Sequence, residues 1–391
     1  MHPAKSQGSL KAFFWSACLS VGALGLTAQP PRPPEAVLVF TGDIRGYLSP
    51  CGCTKPQIGG IKRMAGVVRA LLKQPNTYYV DIGNWTESED RQDELKADAL
   101  ATLFADLKPA YLNVGPLDAR MSEAKLDSLA EMTGGLLNRS GDPRDVGPLQ
   151  IRANTSLPYE GGKKEVLLLA AGKAEAERAA TGGPGLIVYS VSGDPAKDPT
   201  TVGTAVLVSS GDRCRNVGRI ELIAGKWTNF TLIELGPEKA DDPHATAVYK
   251  SYLQRVADEN LLDVLPRTQG PVKYAGSKSC ASCHAQIYED WKGTSHAHAY
   301  ATLQSTGNDR DPECVGCHVV GLGDTSGFKS LKMTPKVANV GCESCHGPGS
   351  KHNRGPYAPY GGAGEQACLP CHTLENSPGF SFKEYWPKIK H

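Results

Sequence analysis

Four times between residues 280 and 372 the chain spells Cys-x-x-Cys-His: Cys280, Cys283 and His284; Cys314, Cys317 and His318; Cys342, Cys345 and His346; Cys368, Cys371 and His372. Two thiols separated by two residues can add across the two vinyl groups of one haem, and the adjacent histidine is then held under the iron as its proximal ligand. A single Cys-x-x-Cys pair reads equally as a disulfide or as half of a zinc site. Four such pairs, each followed directly by histidine and together using eight of the 12 cysteines, read as four covalent c-type haem sites.

The spacing constrains packing as well. The proximal histidines are 34, 28 and 26 residues apart, and the stretch from Val272 to His391 is too short to build a sizeable apolar core of its own. The macrocycles must supply most of the buried apolar surface, which predicts haems nearly in contact and a segment that does not fold without them. Sixth ligands must come from elsewhere. Of the 10 histidines, setting aside the four proximal ones and His2 leaves His244, His296, His298, His352 and His391. His352 follows His346 too closely to travel round the same haem, so it is expected to serve a neighbour. His296 and His298 fall in a helix-like stretch, Ala285 to Leu303, where a two-residue separation puts them on different faces and makes one of the two the expected ligand. His244, placed before a linker, reads as a solvated side chain, and Met333 offers the less common thioether alternative.

The start of the chain reads as an export signal over residues 1–28. Lys5 and Lys11 precede the apolar run Ala12 to Leu26, and Leu26-Thr27-Ala28 offers a cleavage site before Gln29. A lipid anchor at Cys18 is the alternative. Either places the protein in the periplasm or another extracytoplasmic space, held at the membrane if the signal is retained. No later stretch is long and apolar enough to span a bilayer. With 42 basic against 41 acidic side chains, the net charge of +1 gives no field to gather nucleic acid or anionic lipid, and 40% hydrophobic residues exclude wholesale disorder.

After a Pro-rich linker, residues 29–35, strand and helix patterns alternate in an α/β rhythm. Strands are expected at Ala36 to Phe40, Tyr78 to Ile82, Tyr111 to Val114, Glu165 to Ala171, Gly185 to Val191, Thr204 to Ser209, Arg219 to Ala224 and Thr228 to Leu235. Helices are expected at Gly60 to Lys73, Gln92 to Leu107, Ser122 to Met132 and Pro243 to Val264. Pro266 to Pro271 then reads as a linker, dividing an α/β domain, 36–265, from a mainly α, loop-rich domain, 266–391, in which strand patterns almost disappear.

Two resemblances follow from these residues. The run GSKSCASCHAQIYEDWKGTSHAHA, then DPECVGCHVVGLGDTSGF, NVGCESCHGPGSKH and ACLPCHTLENSPGFSFKEYWPKIKH resembles the multihaem cytochromes of the tetrahaem c-554 type over about residues 273 to 391. The resemblance implies haems stacked in close pairs, mostly bis-histidine, with room for one five-coordinate iron. It implies His284, His318, His346 and His372 as proximal ligands, and His296 or His298, His352 and His391 as distal ones, without deciding which iron each serves. The first domain is similar to metallophosphoesterases of the 5′-nucleotidase type through FTGDIRGYLSP (Phe40 to Pro50), GGIKRMAG (Gly59 to Gly66), VDIGNW (Val80 to Trp85) and LNVGPLDA (Leu112 to Ala119). That family holds two metals, and this chain departs from its pattern: Arg45 stands for the first histidine, Asn84 for the bridging aspartate, and Pro116 and Leu117 for an Asn-His pair. No histidine occurs between His2 and His244. The resemblance therefore implies a layered sandwich that has lost its dimetal site.

Cys51-Gly52-Cys53 falls where that site would open, with Cys214 as an odd third thiol; the set reads as disulfide partners or as a redox or thiolate metal site. Arg45, Lys62 and Arg63 read as a solvated basic surface. The function expected is electron transfer between periplasmic redox proteins or a membrane electron-transfer complex, with the first domain as docking scaffold or accessory redox module. The alternative is an oxidoreductase acting on a small nitrogen or sulfur species at a haem with an open axial site. Phosphoester hydrolysis ranks third.

Overall fold

The computed structural model describes residues 32–50, 56–156, 162–169, 171–355, 360–374 and 376–391. The expected export segment, Cys18, Cys51 and Cys53 lie outside them. Among the described residues no helix is long and apolar enough to cross a membrane.

The first strand, β1 (Ala36–Thr41), sets the plan of the α/β part. All six residues are buried, and the two-residue alternation of a strand sends Val37 and Val39 to one face and Ala36, Leu38 and Phe40 to the other. A strand apolar on both faces needs cover on both. In one sheet, with strands numbered in chain order, β1 pairs in parallel with β2 (Thr77–Asp81), followed by β3 (Tyr111–Asn113) and β4 (Leu137–Asn138). Its other neighbour is antiparallel β11 (Asn216–Ile223), which pairs with β12 (Lys226–Glu234). The second sheet runs β5 (Arg144–Val146), β6 (Leu149–Arg152), β7 (Lys164–Leu169), β8 (Leu186–Tyr189), β10 (Ala205–Val208) and β9 (Thr200–Val202). Leu38, Phe40, Val80, Ile220 and Leu222 of the first sheet pack against Leu149, Ile151, Val166, Leu168 and Val188 of the second. Gly218 is required there, because a Cβ on it would stand 2.2 Å from Cζ of Phe40.

Helices close the outer faces. Helix α1 (Ile61–Leu71) buries Ile61, Met64, Ala65 and Val68, the i, i+3, i+4, i+7 set of one face. Helix α2 (Arg91–Leu107) starts where Asp90 accepts a hydrogen bond from Asp93 N, with Asp93 and Glu94 in its positive-dipole first turn. With α3 (Glu123–Met132) and α5 (Pro243–Asp258) these helices bury Val37, Val39 and Tyr79. On the far side α4 (Lys173–Ala179) covers Leu167, Leu169, Ile187 and Leu207 with Ala176. The result is an α/β/β/α layered sandwich.

From Leu261 onward regular structure shortens: α6 (Leu261–Val264), α7 (Ala285–Lys292), α8 (Ala299–Thr306), α9 (Pro312–Gly316), α10 (Cys342–His346), α11 (Glu365–Cys368) and α12 (Phe382–Tyr385) are joined by 3-10 turns and loops. Pairing among the described residues of this part is confined to the isolated bridges Thr268–Asp324 and Val319–Ala338. Its apolar core is one small cluster of Leu262, Tyr300, Leu303, Val315, Val319, Val320, Phe328 and Val337. Two expected helices are broken. Pro243 to Val264 stops at Asn260, which adopts a left-handed φ of 51°. Ala285 to Leu303 breaks after Lys292, where Gly293 caps α7 and Thr294 Oγ1 donates to Trp291 O, and Ser295–His298 winds as a 3-10 turn. Pro34–His391 forms one compact unit.

Candidate haem-binding site

Each Cys-x-x-Cys-His motif is folded as about one helical turn, which gathers its thiols and its histidine locally. His284 N donates to Cys280 O and His372 N to Cys368 O, both at 2.9 Å, and α10 coincides with the whole third motif. The eight thiols are unbridged. Thiols of different motifs also neighbour one another, Cys280 beside Cys342 and Cys317 beside Cys371, close enough for each pair to perturb its own ionisation.

The histidines come together in pairs drawn from distant parts of the chain. The ring of His284 stacks toward that of His352 at a centroid distance of 6.5 Å, His372 faces His296 at 6.3 Å, and His346 faces His391 at 5.7 Å. An iron held between two imidazoles places ring centres about 6 Å apart, from two metal–nitrogen bonds of about 2 Å and roughly 1 Å from each nitrogen to its ring centre. The three pairs therefore have the separation of axial ligand pairs, and the thiols, histidines and thin apolar core fit c-type haem.

Second ring nitrogens are also engaged. His318 Nδ1 lies 2.6 Å from Ala299 O, His346 Nδ1 2.6 Å from Gly361 O, and His372 Nδ1 3.1 Å from Ser377 Oγ. A Nδ1–H donated to an oxygen fixes the tautomer whose Nε2 lone pair faces a metal. Burial pushes His296 and His372 below the usual histidine value, with mutual repulsion adding at His296, which favours the neutral, ligating form. His298 differs from its neighbour: it is exposed, and its Nε2 lies 3.1 Å from Lys292 O. His244 is half exposed beside Asp106, at 4.0 Å, and Met333 is 63% exposed.

Glu343, a variable position inside the third motif, is a structural residue that reading the motif by its cysteines and histidine passes over. Only 3% exposed, its Oε1 accepts from Ala275 N (2.8 Å) and Gly349 N (2.7 Å) and its Oε2 from Gly276 N (2.7 Å). One carboxylate thus ties the third motif to the approach to the first and to the loop that carries His352. Asn353 Nδ2 adds a bond to Ser279 Oγ at 2.7 Å. A charged residue flanked by motif cysteines was the available signal.

In the α/β part, the loops after β1, β2 and β3 converge, but their carboxylates are occupied. Asp43 Oδ1 accepts from Asn84 Nδ2 (2.9 Å) and Ser190 Oγ (2.8 Å), and Arg45 stands 3.6 Å away. Asp118 accepts from the backbone N–H groups of Asn84, Trp85 and Gly115, and Asp81 from Thr41 Oγ1, Gly83 N and Trp85 Nε1. Burial raises all three carboxyls, Asp81 to about 6 and Asp118 to about 7, against hydrogen bonds that pull them down. Cys214 is buried and raised by that burial. Among the described residues no group of three or more His, Cys, Asp or Glu side chains could hold a metal ion.

Comparison with known proteins agrees with the motifs. The family described as cytochrome c554 and c-prime matches residues 279–347. Cytochrome c-554 of Nitrosomonas europaea is 36% identical over 109 residues, covering 24% of this chain and 46% of that protein, so the chain spans about half the length of the curated relative it matches. Over these residues the C-terminal part is similar to c-type cytochromes. Similar solved structures include the sulfate thiohydrolase SoxB of Thermus thermophilus, at 15% identity and a TM-score of 0.47 over 59% of this chain and 62% of that one. A 5′-nucleotidase precursor, also of Thermus thermophilus, has 14% identity and a TM-score of 0.47 over 70% and 68% of the two chains. The calcineurin-like phosphoesterase YfkN of Bacillus subtilis has 12% and 0.44 over 57% and 98%. With TM-scores below 0.5, the layered fold rests on its own strand order and packing.

Proposed function

We propose that the chain is an exported tetrahaem c-type cytochrome that carries electrons between periplasmic redox partners, built from an α/β domain over 36–265 and a haem domain over 266–391. The observation that carries this reading is the set of three histidine ring pairs at 5.7 to 6.5 Å, each with one motif histidine and one from outside the motifs. They support His352 as the partner of His284, His296 of His372 and His391 of His346. Bound haem supplies reversible one-electron exchange between ferric and ferrous iron. The chain's part is to anchor and orient: paired thiols fix each macrocycle, and the Nδ1 bonds of His318, His346 and His372 hold their rings in one tautomer and raise their basicity.

The second reading is an oxidoreductase acting on a small nitrogen or sulfur species at a haem with an open axial position. Low-temperature EPR of the oxidised holoprotein tests both readings. Low-spin signals are expected from the three irons served by the ring pairs; four low-spin signals would remove the second reading, and two or more high-spin irons would overturn the ring-pair assignment.

A further inference from the structure

We propose that the α/β domain positions the haem of the second motif and tunes its reduction potential through Gln92, Tyr252 and the Lys96–Glu313 ion pair, an inference that rests on the haem reading above. The second motif is mounted on α9, a five-residue helix that leads from Asp311 through Cys314 to Cys317 and His318. So short a helix has little stability of its own, and its position depends on what holds its first turn. Asp311 caps it, accepting from Glu313 N at 3.0 Å, and is itself only 5% exposed. Both carboxylate oxygens of Asp311 are gripped from the α/β domain: Gln92 Nε2 of α2 donates to Oδ1 at 2.7 Å, and Tyr252 OH of α5 donates to Oδ2 at 3.0 Å. Gln92 Nε2 also reaches Tyr252 OH at 2.9 Å, which closes a three-residue ring of bonds. Tyr249 OH adds a bond to Asn308 Oδ1 at 2.8 Å, and Arg310 Nη2 one to Asn260 Oδ1 at 2.9 Å.

One turn beyond Gln92, Lys96 is 4% exposed, lies 3.0 Å from Asp93 Oδ1, and pairs with Glu313, the residue that precedes Cys314. Burial alone would discharge this ammonium, but the Glu313 and Asp93 carboxylates outweigh it and hold the group charged. A fixed cation beside a motif cysteine would favour the ferrous state of a haem held there, and the neighbouring carboxylate would oppose it; Lys96 is shielded from water, whereas Glu313, 60% exposed, is partly screened. Lys96 and Glu313 are therefore positioning and tuning groups, and neither touches the iron.

The test is spectroelectrochemical titration of the full-length holoprotein, with intact mass confirming haem content. Lys96→Met is expected to shift one of the redox components to lower potential by more than the others, Glu313→Gln to shift the same component upward, and Lys96→Arg to leave it near the wild-type position. Simple loosening of α9 would move the first two variants in the same direction, so opposite signs separate charge from structure. Gln92→Leu is expected to change the EPR g values of one haem and leave the rest. If the protein carries fewer than four haems, the haem reading itself fails. If four are present and the components stay fixed, or move together in one direction, the inference is overturned.

Discussion

What a histidine's second ring nitrogen is bonded to decides what the first can do, and this separates two residues that lie two apart. Nε2 of His298 is committed to Lys292 O, whereas His296 turns its ring to His372 at 6.3 Å. His296→Ala is therefore expected to convert one haem from low to high spin, and His298→Ala to leave the spectrum alone; the reverse outcome would exchange their roles. His352→Ala and His391→Ala should each convert one further haem, and His244→Ala none. A buried carboxyl gives a second residue-level test. Asp81, fully buried and raised to about 6, binds its proton more tightly in the folded than in the unfolded chain. The stability it contributes is present below about pH 4, the unfolded value, and is lost as the pH rises through about 6. Asp81→Asn keeps acceptors for Gly83 N and Trp85 Nε1, and Thr41 can rotate its hydroxyl toward Tyr79 OH, 2.7 Å away. Denaturant unfolding followed by circular dichroism should show the variant gaining stability relative to wild type between pH 4 and 7; a difference independent of pH would mean the carboxyl is ionised throughout.

At the level of elements, the loops that follow β1, β2 and β3 bond to one another, and among the described residues they leave no ligand set for two cations. A divalent ion at Asp43 Oδ1 would have to displace Asn84 and Ser190, one at Oδ2 would face Val191 N at 3.3 Å, and either would sit beside the Arg45 guanidinium, 3.6 Å from the carboxylate. Purified protein supplied with manganese, zinc or calcium is expected to hydrolyse neither nucleoside monophosphates nor an aryl phosphate. Turnover that disappears on Asp43→Ala would contradict this. The layered fold was legible where elements are long and apolar: β1, β7 and β8 appear as runs of Val, Ile and Leu, and α2 and α5 as helix patterns, the latter drawn past its end at Asp258. It was not legible at β4, β5, β6 and β9, which have two to four residues, include polar positions, and form only because a neighbour pairs with them. The local turn of each motif could be read from spacing because the two thiols and the histidine are close in sequence. Which outside histidine faces which motif could not, since it depends on tertiary ties such as Glu343 to Ala275, Gly276 and Gly349.

For the whole molecule, the two parts differ in what stabilises them. The α/β part buries Trp85, Tyr79, Phe40 and Phe104 between layers, whereas among the described residues the C-terminal part has one eight-residue cluster and leaves its cysteines mostly half exposed. Replacing all eight motif cysteines by serine should therefore leave an intact α/β core and a protease-sensitive C-terminal part. Limited proteolysis that spares both would show that the segment folds without its cofactor. The most direct test of the central claim is the intact mass of the denatured protein expressed with haem-maturation machinery. The account predicts the mature polypeptide plus four haems, covalently retained; a mass corresponding to three or fewer would contradict it.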